Sequence, residues 1–180
     1  KGRLQRLFEE ELAPLLDGVS AREYAVVEVA RDLPRNLKAK REREKEILEN
    51  EARRKRLYAK YGYDGAEKLN QSARRRIELH DQQNGICPFT GEALGDDPLD
   101  ASLEIEHLFP ATRGGLSVNE NLVLTFRRIN KAKDNRTPRE FAAYLGQSFE
   151  VMKNHTKEMR WSALKREVFE WEDGNKIPNF

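Results

Sequence analysis

The spacing of apolar and polar residues predicts three elements in the first third of the chain. Residues 3–17 place leucines at helical intervals, which predicts a helix. Residues 24–30, YAVVEVA, are rich in β-branched residues and hold a single carboxylate, Glu28, so we predict a strand. Residues 34–61 mix acids and bases at i,i+4 spacing and have little apolar face, which predicts a long solvated helix.

The middle of the chain shows two short alternating segments between helical ones. Residues 66–83 have helical spacing, and the ICPFTGEAL segment that begins at Ile86 has the proline and glycine of a tight knuckle. SLEIEHLFP, residues 102–110, alternates as a half-buried strand does, and NLVLTF, residues 121–126, predicts a second strand. RRINKAKDN, residues 127–135, follows as helix and loop.

Helical patterns return from Arg139 to the end of the chain. The residues expected to pack there are Phe141, Tyr144, Leu145, Phe149, Trp161, Leu164, Val168 and Trp171. The whole pattern predicts an α+β chain that is mostly helical and contains one short two-stranded sheet.

The net charge of +2 conceals an uneven distribution along 180 residues. Residues 34–61 carry 11 bases and 5 acids, and residues 113–136 carry 6 bases and 2 acids. Charged helices such as 34–61 are usually solvated faces, but a surplus of lysine and arginine also suits contact with nucleic-acid phosphates, so both interpretations stay open here.

Composition also restricts the class of protein. The single cysteine, Cys87, excludes an internal disulfide and a zinc site built from several cysteines. No apolar run approaches the ~18 residues of a membrane span, and no segment reads as a signal peptide, so we expect no membrane partner and a cytoplasmic location.

The sharpest chemical pattern lies between the two predicted strands. Glu106 and His107 end the first strand, and Asn121 and Asn130 follow the histidine by 14 and 23 residues. Phosphodiester hydrolysis needs a group that takes a proton from water and a divalent cation that neutralises developing charge. A histidine suits the first task. Carboxylate and amide oxygens, such as those of Glu106 and Asn130, suit Mg²⁺.

The pattern ExEH(x13)N(x8)N resembles the HNH nucleases, whose core is a ββα-metal fold. RIELHDQQNGICPFTGEAL before it and LVLTFRRINKAKDNRTPREF after it resemble the HNH domain of RNA-guided CRISPR type II effector nucleases. VVEVARD, around Glu28, is similar to the middle motif of the split RuvC-like nuclease in those proteins.

The resemblance implies a role for each of these residues. His107 becomes the general base, Glu106 and Asn130 bind Mg²⁺ (with Mn²⁺ as an alternative ion), and Asn121 braces the loop that holds His107. The type II effectors usually have aspartate where this chain has Glu106. Glu28 becomes half of a separate RuvC-like metal site whose other ligands lie outside this chain.

The resemblance also divides the chain and names its partners. Residues 1–33 correspond to the RuvC-like motif segment, 34–65 to a charged linker helix, 66–150 to the HNH nuclease domain, and 151–180 to C-terminal helices and a second linker. The expected substrate is the target DNA strand paired to a guide RNA. The guide and the remaining RuvC-like and recognition domains would belong to a larger parent protein.

Phosphate contacts are expected beside the metal site, on the basic stretch that follows the second strand. The candidates are Arg127, Lys131, Lys133 and Arg136. The knuckle lacks the paired cysteines with which many HNH proteins bind a structural zinc, so we expect packing by Ile86, Phe89 and Leu94 to hold it. His80 and His155 receive no chemical role.

Three other functions are compatible with parts of this pattern. A guided nuclease encoded by a transposon and a free-standing homing or restriction enzyme would use the same HNH chemistry. A catalytically silent nucleic-acid-binding module would use only the basic helices. The orphan carboxylate Glu28 disfavours a free-standing enzyme.

Overall fold

A computed structural model describes residues 37–63 and 69–172 of the chain. The helix expected at 3–17, the strand expected at 24–30 and Glu28 lie outside the described residues. By its contacts the chain divides into two compact units, residues 1–44 and 45–180. The contacts analysed below belong to the second unit.

Within the described residues, two helices precede the sheet. Helix α1 spans Leu37–Lys60, within the stretch predicted as a long charged helix. Helix α2 spans Gln71–Gln82, and its first turn is capped by the Asn70 side chain, whose Oδ1 accepts the Ala73 N–H at 2.8 Å. None of the described helices is long and apolar enough to span a membrane.

The sheet consists of two antiparallel strands, β1 (Leu103–His107) and β2 (Leu122–Phe126). Leu103 lies opposite Phe126, and His107 lies opposite Leu122. The loop between the strands contains two short 3₁₀ turns, Ala111–Arg113 and Asn119–Asn121. Helix α3, Arg127–Lys133, follows β2 directly, which completes the predicted ββα order.

Up to residue 172, where the description ends, three short helices follow: α4 (Pro138–Tyr144), α5 (Phe149–Thr156) and α6 (Ala163–Phe169). The prediction that Tyr144 and Leu145 pack inward is wrong, because they are 58% and 41% exposed. Gly146 adopts a φ of +68° and turns the chain between α4 and α5, so the helical spacing does not continue through this point.

One apolar core joins the sheet to the elements on both sides of it. Its largest members include Leu79, Phe89, Leu103, Leu124, Phe141, Met152, Trp161, Phe169 and Trp171. The core therefore continues past residue 150, where we expected the nuclease domain to end. The domain boundary at residue 150 stays a prediction.

The knuckle is held by packing and hydrogen bonds. Ile86 and Ala93 form an isolated bridge, Phe89 and Leu94 are buried, and Ile86 is partly buried against the core. Cys87 is fully buried, with Sγ 3.2 Å from Thr125 Oγ1 on β2. The three residues expected to pack the knuckle thus lie in or against the core.

Gln83, just after α2, fixes that helix to the sheet. Its Oε1 accepts the Leu124 N–H at 2.6 Å, and its Nε2 donates to the Leu124 carbonyl at 2.8 Å. The fully buried amide side chain thus satisfies both backbone groups of one β2 residue, as a neighbouring strand would do.

Candidate active site

The loop after β1 is held by Asn121, which is fully buried. Its Oδ1 accepts the Phe109 N–H at 2.7 Å, and its Nδ2 donates to the carbonyls of Phe109 at 2.9 Å and Leu116 at 3.0 Å. The Leu108 N–H donates to the Asn121 carbonyl at 2.8 Å. These bonds fix the backbone immediately after His107, as expected of a bracing residue.

Gly115 permits this close approach. A Cβ at residue 115 would lie 2.1 Å from the Phe109 carbonyl oxygen and 2.8 Å from Asn121 Nδ2. Any side chain there would therefore push the loop away from Asn121.

His107 ends β1 and is half-buried. Its Nε2 lies 2.9 Å from Ser117 Oγ in the loop between the strands. Burial lowers the pKa of His107 below its usual 6.5; the Glu106 carboxylate opposes this shift and the Lys133 ammonium reinforces it. A lowered pKa favours the neutral imidazole, which is the form that accepts a proton.

Glu106 forms an ion pair with a buried lysine. Lys133 Nζ lies 2.7 Å from Glu106 Oε1, and the lysine side chain is 0% exposed. The expectation that Lys133 binds nucleic-acid phosphate therefore disagrees with the structure. Helix α3 turns Lys133 toward β1, where its ammonium group compensates the carboxylate that the strand buries.

Asn130 lies three residues earlier on α3 and also contacts β1. Its Nδ2 donates to Glu104 Oε1 at 2.7 Å, and Arg127 Nε lies 3.5 Å from the other oxygen of that carboxylate. This hydrogen bond uses the amide nitrogen of Asn130 and orients its amide group against the strand.

An open groove of about 380 Å³ brings most of the predicted residues together. We call it the active-site groove; its lining residues include Glu104, Glu106, His107, Thr112, Arg127, Asn130, Lys131 and Asp134. The predicted base, both predicted metal ligands and two of the predicted phosphate contacts therefore share one surface.

Arg136 does not line this groove. Its Nη1 donates to the carbonyls of Ala132 at 3.3 Å and Lys133 at 3.4 Å, and its guanidinium lies 4.2 Å from the centre of the Tyr144 ring. These contacts secure the end of α3, so the role of Arg136 in phosphate binding stays a prediction.

The donor set of the groove fits a hard divalent cation. The Glu106 carboxylate and the Asn130 amide come from β1 and α3 and line the same groove as His107. Within the described residues, no three histidine, cysteine, aspartate or glutamate side chains cluster as a metal site. Two oxygen ligands suit Mg²⁺, which retains several of its waters.

Glu104 and Ser117 contact the predicted metal ligand Asn130 and the predicted base His107, and neither carried a predicted role. Glu104 orients Asn130, and its only signal in the sequence was its alternation with Glu106 on β1. Ser117 contacts the His107 ring from the loop, and no spacing rule points to it. His80 and His155 lie outside the groove; His80 is buried and contacts Tyr61 Oη at 2.9 Å and the Gly95 carbonyl at 2.8 Å.

One segment of the chain matches a known protein family. Residues 87–139 match the sequence model described as HNH endonuclease. That segment contains the knuckle from Cys87 onward, both strands, α3 and every residue that lines the active-site groove. The family consists of phosphodiester hydrolases.

Solved structures with a similar fold include three Cas9 structures. The type II-C Cas9 enzyme from Actinomyces naeslundii is 20% identical with a TM-score of 0.54, and the match covers 73% of this chain and 16% of that one. Streptococcus thermophilus Cas9 in complex with the GGAA PAM is 23% identical with a TM-score of 0.58, and the match covers 74% of this chain and 15% of that one. The same enzyme in complex with the AGAA PAM is 20% identical with a TM-score of 0.60, and the match covers 77% of this chain and 15% of that one.

These likenesses concern the fold, and the matches cover about a sixth of each Cas9 chain. They agree with the expectation of an HNH domain of the type II effector kind. Residues 87–139 thus match the HNH endonuclease family model, and the fold of this chain is similar to that of Cas9 enzymes.

Proposed function

We propose that this chain is a metal-dependent DNA endonuclease domain in which His107 activates the attacking water. The observation that carries the proposal is the shared groove: a half-buried histidine with a lowered pKa lies on one surface with Glu106, Asn130 and two exposed cations.

His107 acts as the general base. A neutral imidazole at the edge of the groove accepts the proton of a water molecule as that water attacks phosphorus. Ser117 fixes the ring by its contact with Nε2, and Asn121 fixes the backbone after it, so the base needs little reorganisation before reaction.

Glu106 and Asn130 would hold Mg²⁺, with Mn²⁺ as an alternative ion. When bound, the ion supplies positive charge that stabilises the phosphate oxygens as charge develops on them. Glu104 holds the Asn130 amide by its nitrogen, which leaves the amide oxygen available as a ligand. Lys133 contacts Oε1 of Glu106 and so restricts the orientation of that carboxylate.

Arg127 and Lys131 bind the substrate backbone. Both side chains are exposed at the groove, on the first two turns of α3. Cations at this place neutralise phosphates next to the scissile bond without reading the base sequence. Hydrolysis would leave a 5′-phosphate and a 3′-hydroxyl.

The finer proposal is that the DNA strand cut is the target strand paired to a guide RNA. Support comes from the Cas9 fold and from the sequence motifs on both sides of the HNH core. The guide RNA and the recognition and RuvC-like domains then belong to a longer parent protein in the prokaryotic cytoplasm, and Glu28 serves its RuvC-like centre.

A strand-nicking assay with the guide-loaded parent protein tests this function. His107→Ala should reduce target-strand cleavage by about 10²- to 10⁴-fold, the usual contribution of a general base. His155→Gln, a change to a histidine outside the groove, should leave cleavage unchanged. Full target-strand cutting by His107→Ala would refute the assignment.

A magnesium titration separates the enzyme from a silent binding module. In nuclear magnetic resonance spectra of the 180-residue chain, Mg²⁺ should shift the Asn130 side-chain amide and the Glu106 signals. Glu106→Gln should abolish the Asn130 shift. A chain with no Mg²⁺-dependent signals in this groove would fit the binding module instead.

A further inference from the structure

The charges of α1 are segregated along its length. Residues 37–51 contain five bases and five acids, the balance of a solvated helix. Residues 52–60 contain five bases and no acid: Arg53, Arg54, Lys55, Arg56 and Lys60. The basic half is the part of the helix that packs against α2, through Tyr58 and Glu78.

A second groove lies between this half of α1 and the start of α2. We call it the basic groove; it is lined by Glu51, Arg54, Lys55, Tyr58, Gln71, Arg74, Arg75, Glu78 and Asn119. Its volume is about 580 Å³, and it shares no residue with the active-site groove. Four cations and two carboxylates line it, so its lining carries a net positive charge.

Its two carboxylates leave much of this charge uncompensated. Glu78 Oε1 accepts the Tyr58 hydroxyl at 3.0 Å and lies 3.3 Å from Arg54 Nε. In the part of the chain that the structure describes, no hydrogen bond or ion pair engages the side chain of Lys55 or Arg75. Lys55 is exposed and Arg75 is half-buried, so the Lys55 ammonium and the Arg75 guanidinium can each reach a ligand in the groove.

Helix stability does not account for the arginines of α2. Arg74, Arg75 and Arg76 lie in the first half of the helix, whose first turn contains no acid. Cations near a helix N-terminus oppose the helix dipole and so do not stabilise the helix. Arg76 is used internally, since it donates to the Leu103 carbonyl at 3.2 Å, whereas Arg75 has no such use.

We propose that the basic groove binds the phosphodiester backbone of nucleic acid at a site separate from the active-site groove. Arg54, Lys55, Arg74 and Arg75 provide cations from both walls, and Tyr58 and Glu78 join the walls through their hydrogen bond. The choice of nucleic acid as the polyanion rests on the proposed nuclease function. Contacts of this kind depend on salt and not on base sequence.

The test is a salt titration of binding by the 180-residue chain, followed by fluorescence anisotropy. The probes are labelled 20-base-pair DNA duplex, RNA–DNA hybrid of equal length, and single-stranded DNA. The variant Lys55→Gln/Arg75→Gln removes two cations from the groove. The matched control, Lys40→Gln/Lys45→Gln, removes two cations from the charge-balanced half of the same helix.

Loss of two phosphate contacts should reduce the slope of log K against log salt by about 1.8 on duplex DNA and about 1.4 on single strands. We expect this reduction for the groove variant on at least one probe, which identifies the bound form, while the control keeps the wild-type slope. Unchanged slopes on all three probes, or an equal loss in the control, would overturn the proposal.

Both variants should fold, because glutamine has nearly the same helix propensity as lysine and arginine. Circular dichroism and thermal unfolding verify this. The test is also independent of catalysis, because His107 lies outside the basic groove. If the chain cleaves DNA but the Lys55→Gln/Arg75→Gln variant keeps the wild-type salt slope, only the proposal for the basic groove is contradicted. If the variant has a reduced slope but the wild type does not cleave DNA, only the nuclease proposal is contradicted.

Discussion

Lys133 Nζ lies 2.7 Å from Glu106 Oε1, and the lysine side chain has no solvent exposure. The two groups compensate each other's charge between α3 and β1, next to His107. Lys133→Met should therefore leave a buried carboxylate without its partner and reduce the free energy of unfolding by about 3–5 kcal/mol. Urea denaturation measures this loss.

Lys131→Met is the control for that experiment, because Lys131 is on the same helix but exposed. It should change the free energy of unfolding by no more than about 0.5 kcal/mol. The double variant Lys133→Met/Glu106→Gln should recover part of the loss. A similar loss in both single lysine variants would show that the ion pair is not responsible.

The pKa of His107 predicts the acid limb of the reaction. A protonated imidazole cannot accept a proton from water, so the rate should fall as the pH drops through the lowered pKa. The midpoint should lie below pH 6.5 and the rate should be flat at neutral pH. Titration of the His107 ring signals in metal-free chain measures the same midpoint, and a value above 6.5 would contradict the prediction.

Lys165 on α6 predicts a second pH effect, on stability. The side chain is almost fully buried, and its Nζ donates to the Asn119 carbonyl at 3.1 Å and the Gln82 Oε1 at 3.4 Å. Burial lowers the pKa of Lys165 from 10.5 to about 7, and the Glu120 carboxylate opposes this shift. Between these values the unfolded chain binds more protons than the folded chain, so the contribution to stability rises with pH from about 7 to 10.5.

Lys165→Met removes this proton linkage. Between pH 7 and 9, the free energy of unfolding of the wild type should rise relative to the variant by about 1.4 kcal/mol per pH unit. Urea denaturation at several pH values gives both curves. Parallel curves would show that Lys165 does not change its protonation on folding.

Asp134 supplies a test of backbone strain at the end of α3. Its φ of 50° and ψ of −134° lie where glycine is favoured over residues with a Cβ. Asp134→Gly should raise the free energy of unfolding by about 1 kcal/mol, because it relieves this strain. Asp134→Ala removes the same carboxylate but keeps a Cβ, so equal stabilisation by both variants would assign the gain to charge.

The local pattern was sufficient for the order of elements and for much of the site. Alternation in SLEIEHLFP and NLVLTF predicted β1 and β2, and the resemblance to HNH nucleases implied that Glu106, His107 and Asn130 share one site; the structure has all three lining one groove. Periodicity is a property of neighbouring residues, so it survives without knowledge of the remaining chain.

The structure changed the assignment of the cations. The sequence treats Lys131 and Lys133 alike. Residues two positions apart on an α-helix, however, point in directions that differ by more than half a turn. One is therefore exposed at the active-site groove and the other is enclosed beside Glu106. The basic half of α1 becomes one wall of a groove only because α2 lies beside it and adds Arg74 and Arg75.

The sequence by itself determined the ββα order, the candidate base and metal ligands, and the unequal distribution of charge. Only the tertiary structure decided that Gln83 completes the edge of β2, that Lys165 is buried against Asn119 of the loop between the strands, and that the core extends beyond residue 150. The reason is physical: secondary structure and motif spacing are set within a few residues, whereas burial depends on which distant segments cover a side chain.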